Sequence, residues 1–142
     1  MKVSYKLDLS ELPRLTRKMQ DELYDDLKVI VEAATSQASM QAKQNVKVDK
    51  AGLKSSILAL HKGLTGEVRV GAEYGPYLDF GTGSEIQIPS DWQEVAIQFK
   101  GAGIREVNNR AQPFFYPAID RHIHRFQIAC DKALERVMNK RR

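Results

Sequence analysis

Asp21-Glu-Leu-Tyr-Asp-Asp-Leu-Lys-Val-Ile-Val-Glu-Ala-Ala-Thr-Ser-Gln-Ala-Ser-Met-Gln-Ala42 is the stretch whose reading decides the fold. Leu23, Leu27, Ile30, Val31, Ala34 and Ala38 recur at steps of three and four, which puts them on one face of an α-helix. Leu12, Leu15 and Met19 extend the series upstream, and Arg17, Lys18, Asp21, Glu22, Asp25, Asp26 and Lys28 take the other face. Ser10 three residues before Pro13 reads as a helix start with Ser10 as its cap. One helix is therefore expected from Ser10 to about Asn45, roughly 50 Å long at 1.5 Å per residue. A chain of this length has an expected radius of gyration of about 14–15 Å. Part of the helix is thus expected to project or to pack on a neighbouring subunit. Its second half, Ala33 to Ala42, is small and polar, which suits a close crossing over a sheet.

Working outward, Val3, Tyr5, Leu7 and Leu9 alternate with Lys2, Ser4, Lys6 and Asp8, the period of a half-buried strand or arm. After a polar break at 46–54, Ser55 to Leu60 and Gly66 to Gly71 read as two strands joined by a hairpin loop, Lys62-Gly-Leu-Thr-Gly66. Val68 and Val70 are expected inside, Glu67 and Arg69 outside. Tyr74, Tyr77 and Leu78 have helical spacing behind Pro76, and Gly81 and Gly83 should end that short helix. Asp91-x-x-Glu94 predicts a capping box for a short helix closed by Gly101. Ile104 to Arg110 predicts another strand, Pro113 to Pro117 an aromatic linker, and Ala118 to about Met138 a final amphipathic helix. The reading is α+β: a long N-terminal helix and a C-terminal helix packed on a small, mainly antiparallel β-sheet. The 142 residues fit one domain, with 1–9 as an arm or strand, 85–103 as an inserted loop with a short helix, and 139–142 as a basic tail.

Composition bounds the function. Hydrophobic residues make up 42% and charged residues 28%, a globular balance. No run of about 20 apolar residues offers a membrane span, and Met1 to Ser10 lacks an apolar signal core. The product is therefore expected to stay in the cytoplasm. The net charge of +4 is mild and spread along the chain. Cys130 has apolar neighbours and reads as a small buried hydrophobe. His122 and His124 stand two apart and point in different directions on a helix, so they read as solvated helix histidines and not as metal ligands.

No phosphate-cradling glycine loop and no Gly-x-Ser-x-Gly elbow is present. Gly81-Thr-Gly-Ser84 lacks a placed base, and Asp79 with Glu85 reads as local electrostatics or a subunit contact. No cofactor, metal or catalytic residue is expected. Trp92 and Phe99 are candidate interface residues. Arg121, Arg125 and Arg136 on the final helix are candidate contacts for phosphate or an acidic partner.

Three segments carry a resemblance. They are Val48-Asp49-Lys-Ala-Gly52-Leu53-Lys-Ser-Ser-Ile57, Tyr74-Gly-Pro-Tyr77-Leu-Asp79-Phe80-Gly81-Thr82 and Ala111-Gln-Pro113-Phe114-Phe-Tyr-Pro117-Ala118. In this order, between helices at both ends, they resemble the boxes of small neck, head–tail joining and tail-completion proteins of long-tailed double-stranded DNA phages and prophages. The resemblance covers about residues 20–138. Lys50-Ala51 departs from the usual Thr before the glycine, and Asp79 replaces Glu. Physically these are framework residues: Gly52 and Gly81 permit tight turns, Asp49 accepts backbone N–H groups, and the rings of Tyr74, Tyr77 and Phe80 are expected to pack on Phe114 and Phe115.

The resemblance implies a non-enzymatic virion protein, assembled in the bacterial cytoplasm. It would form a ring with copies of itself and join head-closure or connector proteins to tail-tube or terminator proteins. DNA would be passing cargo, and no membrane would be involved. The long first helix and the 85–103 segment are expected to make the contacts between subunits. A tail-tube terminator or another connector ring of the same particle is the neighbouring alternative. A basic nucleic-acid-binding protein is the alternative from a different class, supported by the pI of about 9.2. A hydrolase or transferase has almost no support in the sequence.

Overall fold

A computed structural model describes residues 1–7, 16–47, 50–82, 86–98 and 109–139. Strand β1 (Lys2–Lys6) is followed by helix α1 (Arg17–Asn45), short helix α2 (Ala51–Ser55), the hairpin β2 (Ile57–Lys62) and β3 (Thr65–Val70), and helix α3 (Gly75–Phe80). A 3-10 turn (Ser90–Trp92) leads into α4 (Gln93–Ile97), and α5 (Tyr116–Asn139) closes the fold. The architecture is α+β, as the hydrophobic periodicity predicts.

The sheet has the order β1-β3-β2, antiparallel throughout. Its inner rows are Val3–Val68–Ala59 and Tyr5–Gly66–His61, with Ile57 opposite Val70. Its outer rows are Lys2–Arg69–Leu58, Ser4–Glu67–Leu60 and Lys6–Thr65–Lys62. Strict alternation puts Val68 and Val70 in the core and leaves Arg69 outside, as expected, with Glu67 half-buried on the outer face.

Helix α1 crosses the inner face at Gly66. A Cβ added there would run into the Thr35 hydroxyl and lie 3.0 Å from Val31, so the crossing requires glycine. The small residues of the second half of α1 make this approach possible: Ala34, Thr35, Ala38, Ser39 and Ala42 are all buried. Thr35 satisfies its buried hydroxyl by donating to the Val31 carbonyl at 2.7 Å. The first half of α1 is covered by the end of α5, where Leu23 and Leu27 pack against Ala133 and Val137.

Several expectations need correction. The described helix starts at Arg17, where Thr16, in an extended conformation, accepts the Met19 N–H at 3.3 Å. Ser10, Leu12 and Leu15 lie outside the described residues, so the cap found is Thr16. At 29 residues α1 is about 43 Å long. It does not project bare, because α5 lines its first half. The polar break contains a helix, α2, anchored by the fully buried Leu53. No side chain caps the 3-10 turn or α4, so the Asp91–Glu94 capping box is not formed. Gly101 and Ile104 to Asn108 lie outside the described residues, and Asn109 and Arg110 are in no strand.

Candidate functional site

The residues of the resembling segments converge on one buried carboxylate. Asp79 lies near the end of α3, fully buried. Its Oδ1 accepts the backbone N–H groups of Phe114 at 2.8 Å and Phe115 at 3.0 Å, and its Oδ2 accepts that of Tyr116 at 3.2 Å. Tyr116 opens α5, so Asp79 acts as a cap delivered from 37 residues upstream. A negative group at a helix N-terminus also meets the positive end of the helix dipole.

Backbone bonds run beside it. Gln112 N–H donates to the Leu78 carbonyl at 2.8 Å, and Thr82 N–H to the Asn109 carbonyl at 3.0 Å. Asn109 N–H returns a bond to the Thr82 hydroxyl at 2.9 Å. From α1, the Asn45 side chain donates to the Phe114 carbonyl at 3.1 Å. Gly81, with φ +82° and ψ 179°, turns the chain out of α3 in a conformation open essentially to glycine alone.

An aromatic cluster surrounds this node. Phe80 stacks on Tyr116 with ring centroids 5.7 Å apart, and Trp92 meets Phe115 edge-on at 6.0 Å. Phe114 and Phe115 are buried, as is Phe80. The rings that Phe80 meets are Tyr116 and Trp92, in place of the expected Phe114 and Phe115, which lie in the same core. Tyr77 is half-buried, and Tyr74 is 48% exposed and leaves the cluster to its neighbours.

Trp92 is a correction. It is only 5% exposed, and its indole Nε1 donates to Asp120 at 3.0 Å, so its area belongs to the chain's own core and not to a subunit contact. Phe99 and Asp49 lie outside the described residues, as does Glu85. Leu53 and Ile57 are fully buried in the main core, while Gly52 is exposed. Pro113 is exposed, and the half-buried Pro117 sits in the first turn of α5.

Electrostatics follow from burial. Burial pushes the Asp79 carboxyl up to about 6, against the pull of its three N–H donors, and Asp120 adds to the rise. A buried carboxyl with a raised pKa can mark an acid–base catalyst. Here both oxygens are turned to backbone donors of the chain's own linker, an arrangement that fixes geometry.

His122 is buried, not solvated, and neither ring nitrogen has a partner among the described residues. Burial lowers its pKa, and Arg125 and Arg121 lower it further. His124 is exposed. Cys130 is half-buried, and burial pushes its thiol up to about 11, with Asp131 adding to the rise. Among the described residues no three His, Cys, Asp or Glu side chains cluster for a metal. No described helix is long and apolar enough to cross a membrane.

The basic candidates on α5 are exposed but partly engaged. Arg121 donates to the Gln41 side chain at 3.3 Å, and Arg136 lies 3.6 Å from Asp26. Arg125 is exposed. An open cavity of about 300 Å³ adjoins the node, lined by residues that include Lys50, Tyr74, Tyr77, Thr82 and Arg110.

Asn45 and Asp120 are members of this framework to which the sequence reading gave no role. Only Asp120, in the first turn after Pro117, carried a signal, as a polar residue at a helix start. No family model, curated protein or solved structure matches this chain.

Proposed function

We propose that this chain is a structural virion protein of a tailed phage or prophage, a ring-forming neck or tail-completion subunit that joins the DNA-filled head to the tail. One observation carries the reading. The second and third of the resembling segments are bonded to each other through Asp79, Phe114, Phe115 and Tyr116, and Leu53 and Ile57 of the first lie in the same core. The residues that carry the resemblance thus serve as scaffold, which is what a subunit under mechanical load needs. Two of the arginines that would serve a nucleic-acid reading are already engaged within the chain, which weighs against it.

The test is genetic and visual. In the phage or lysogen that encodes this chain, interrupting its gene is expected to leave DNA-filled heads and separate tails in electron micrographs. Supplying the protein to such a lysate should restore joined, infectious particles. Normal infectious virions in its absence would overturn the proposal.

A further inference from the structure

The open face of the sheet and the solvent face of α1 differ in charge and lie on opposite sides of the molecule. On the outer face of the sheet, Lys2, Lys6, Lys62 and Arg69 surround Leu58 and Leu60. Those two leucines are 48% and 45% exposed although they lie mid-strand. The carboxylate on this face, Glu67, is held by Arg69 at 2.8 Å and Lys2 at 3.7 Å, so the face is net basic. Lys2 and Arg69 border a cleft shared with Val95 and Gln98, whereas Leu58 and Leu60 stand on β2, which forms an edge of the sheet.

Helix α1 covers the other side of the sheet. Asp21, Glu22, Asp25, Asp26 and Glu32 fall within twelve residues that contain one lysine, Lys28; Asp21 and Asp25 are exposed, while Asp26 lies 3.6 Å from Arg136 and Glu32 3.8 Å from His61. Val29 sits in the middle of this stripe, 65% exposed and two residues from the fully buried Val31, which places it on the side turned away from the sheet.

We propose that the basic outer face of the sheet docks on the acidic stripe of α1 of a second copy, with Leu58 and Leu60 set against Val29. Charge complementarity selects the occupant: each copy carries both halves of the contact. Because the halves lie on opposite sides, the contact is heterologous, and each copy leaves one half free for the next. Repetition gives a ring if the rotation closes. The inference deepens the ring reading by naming its surfaces. It also replaces Trp92 with the sheet face as the place to look for a subunit contact.

The test uses the full chain in sedimentation velocity and native mass spectrometry, from micromolar to millimolar concentration at low salt. Wild-type protein is expected to form oligomers as concentration rises. Lys6→Glu with Lys62→Glu, and separately Asp21→Lys with Asp25→Lys, should each weaken association by roughly tenfold or more, because like charges then face each other. Mixing the two variants should restore association, since each reversed face again meets its opposite. Leu58→Ser with Leu60→Ser should also weaken it while leaving the circular dichroism spectrum unchanged.

A wild-type chain that stays monomeric throughout would overturn the inference. So would association that ignores these substitutions, or charge-reversed variants that fail to rescue each other. None of those results bears on whether particles lacking the protein still join head to tail, so the two readings fail separately.

Discussion

At Asp79, burial and hydrogen bonding pull one carboxyl in opposite directions, and burial prevails: its pKa is raised from 3.8 to about 6. The folded chain therefore holds this proton more tightly than the unfolded chain. The resulting stabilisation is complete below pH 3.8 and is lost as pH rises through 6. His122 works the other way in the same window, because its lowered pKa disfavours folding as acid charges it. The signature of Asp79 is therefore a difference. Asp79→Asn keeps an acceptor oxygen but cannot ionise. Urea unfolding of both proteins from pH 4 to pH 7 should show wild type losing on the order of 3 kcal/mol relative to the variant as pH rises. A wild type that gained stability on the variant as pH rose would mean that the three N–H donors outweigh burial. Next to it, Gly81 holds a backbone conformation that a side chain resists. Gly81→Ala should cost about 1–3 kcal/mol in the same assay.

Between elements, the closest approach is α1 over β3 at Gly66. Gly66→Ala must push Thr35 and Val31 away from the sheet, and should cost about 2 kcal/mol or more by chemical denaturation. Gly71→Ala is the control, since a Cβ there meets its nearest atom, the Ser56 carbonyl oxygen, at 3.4 Å, and it should be nearly silent. The far end of the helix pair depends on a smaller cluster. Leu23→Ala should cost about 2–5 kcal/mol and should loosen amide protection in the last turns of α5 before it loosens the sheet. These elements were legible because each buries one face, so the periods of α1, α5, β1 and β3 appear directly in the residues. Helix α2 was missed because five residues, Ala51–Ser55, are too few to show a period and include a glycine. The Asp91–Glu94 box misled because the burial of Trp92 against Phe80, Phe115 and Asp120 sets the backbone there, and local capping does not. The aromatic boxes were readable as residues, but their joining was not. Asp79 and Phe114 are 35 positions apart, and spacing carries no record of which turn meets which helix.

On the scale of the whole molecule, a basic sheet face and an acidic stripe on α1 make a polar building block. Its net charge of +4 hides this, because the basic sheet face and the acidic helix stripe largely cancel in the sum. Such a block associates through charges at the rim of the contact and apolar side chains at its centre, and salt separates the two contributions. Raising salt from about 0.1 M to about 1 M shortens the screening length from about 10 Å to about 3 Å. Self-association should weaken several-fold over that range without vanishing, since Leu58, Leu60 and Val29 keep their apolar contact. Reversing Arg121 and Arg125 to Glu separates this behaviour from nucleic-acid binding, which is also salt-sensitive. If the sheet and α1 make the contact, that double variant should associate as wild type does, because neither arginine lies on either face. If its self-association collapsed while Lys6→Glu with Lys62→Glu left it intact, the α5 surface would be the interface, and the polarity of the block would play no part in assembly.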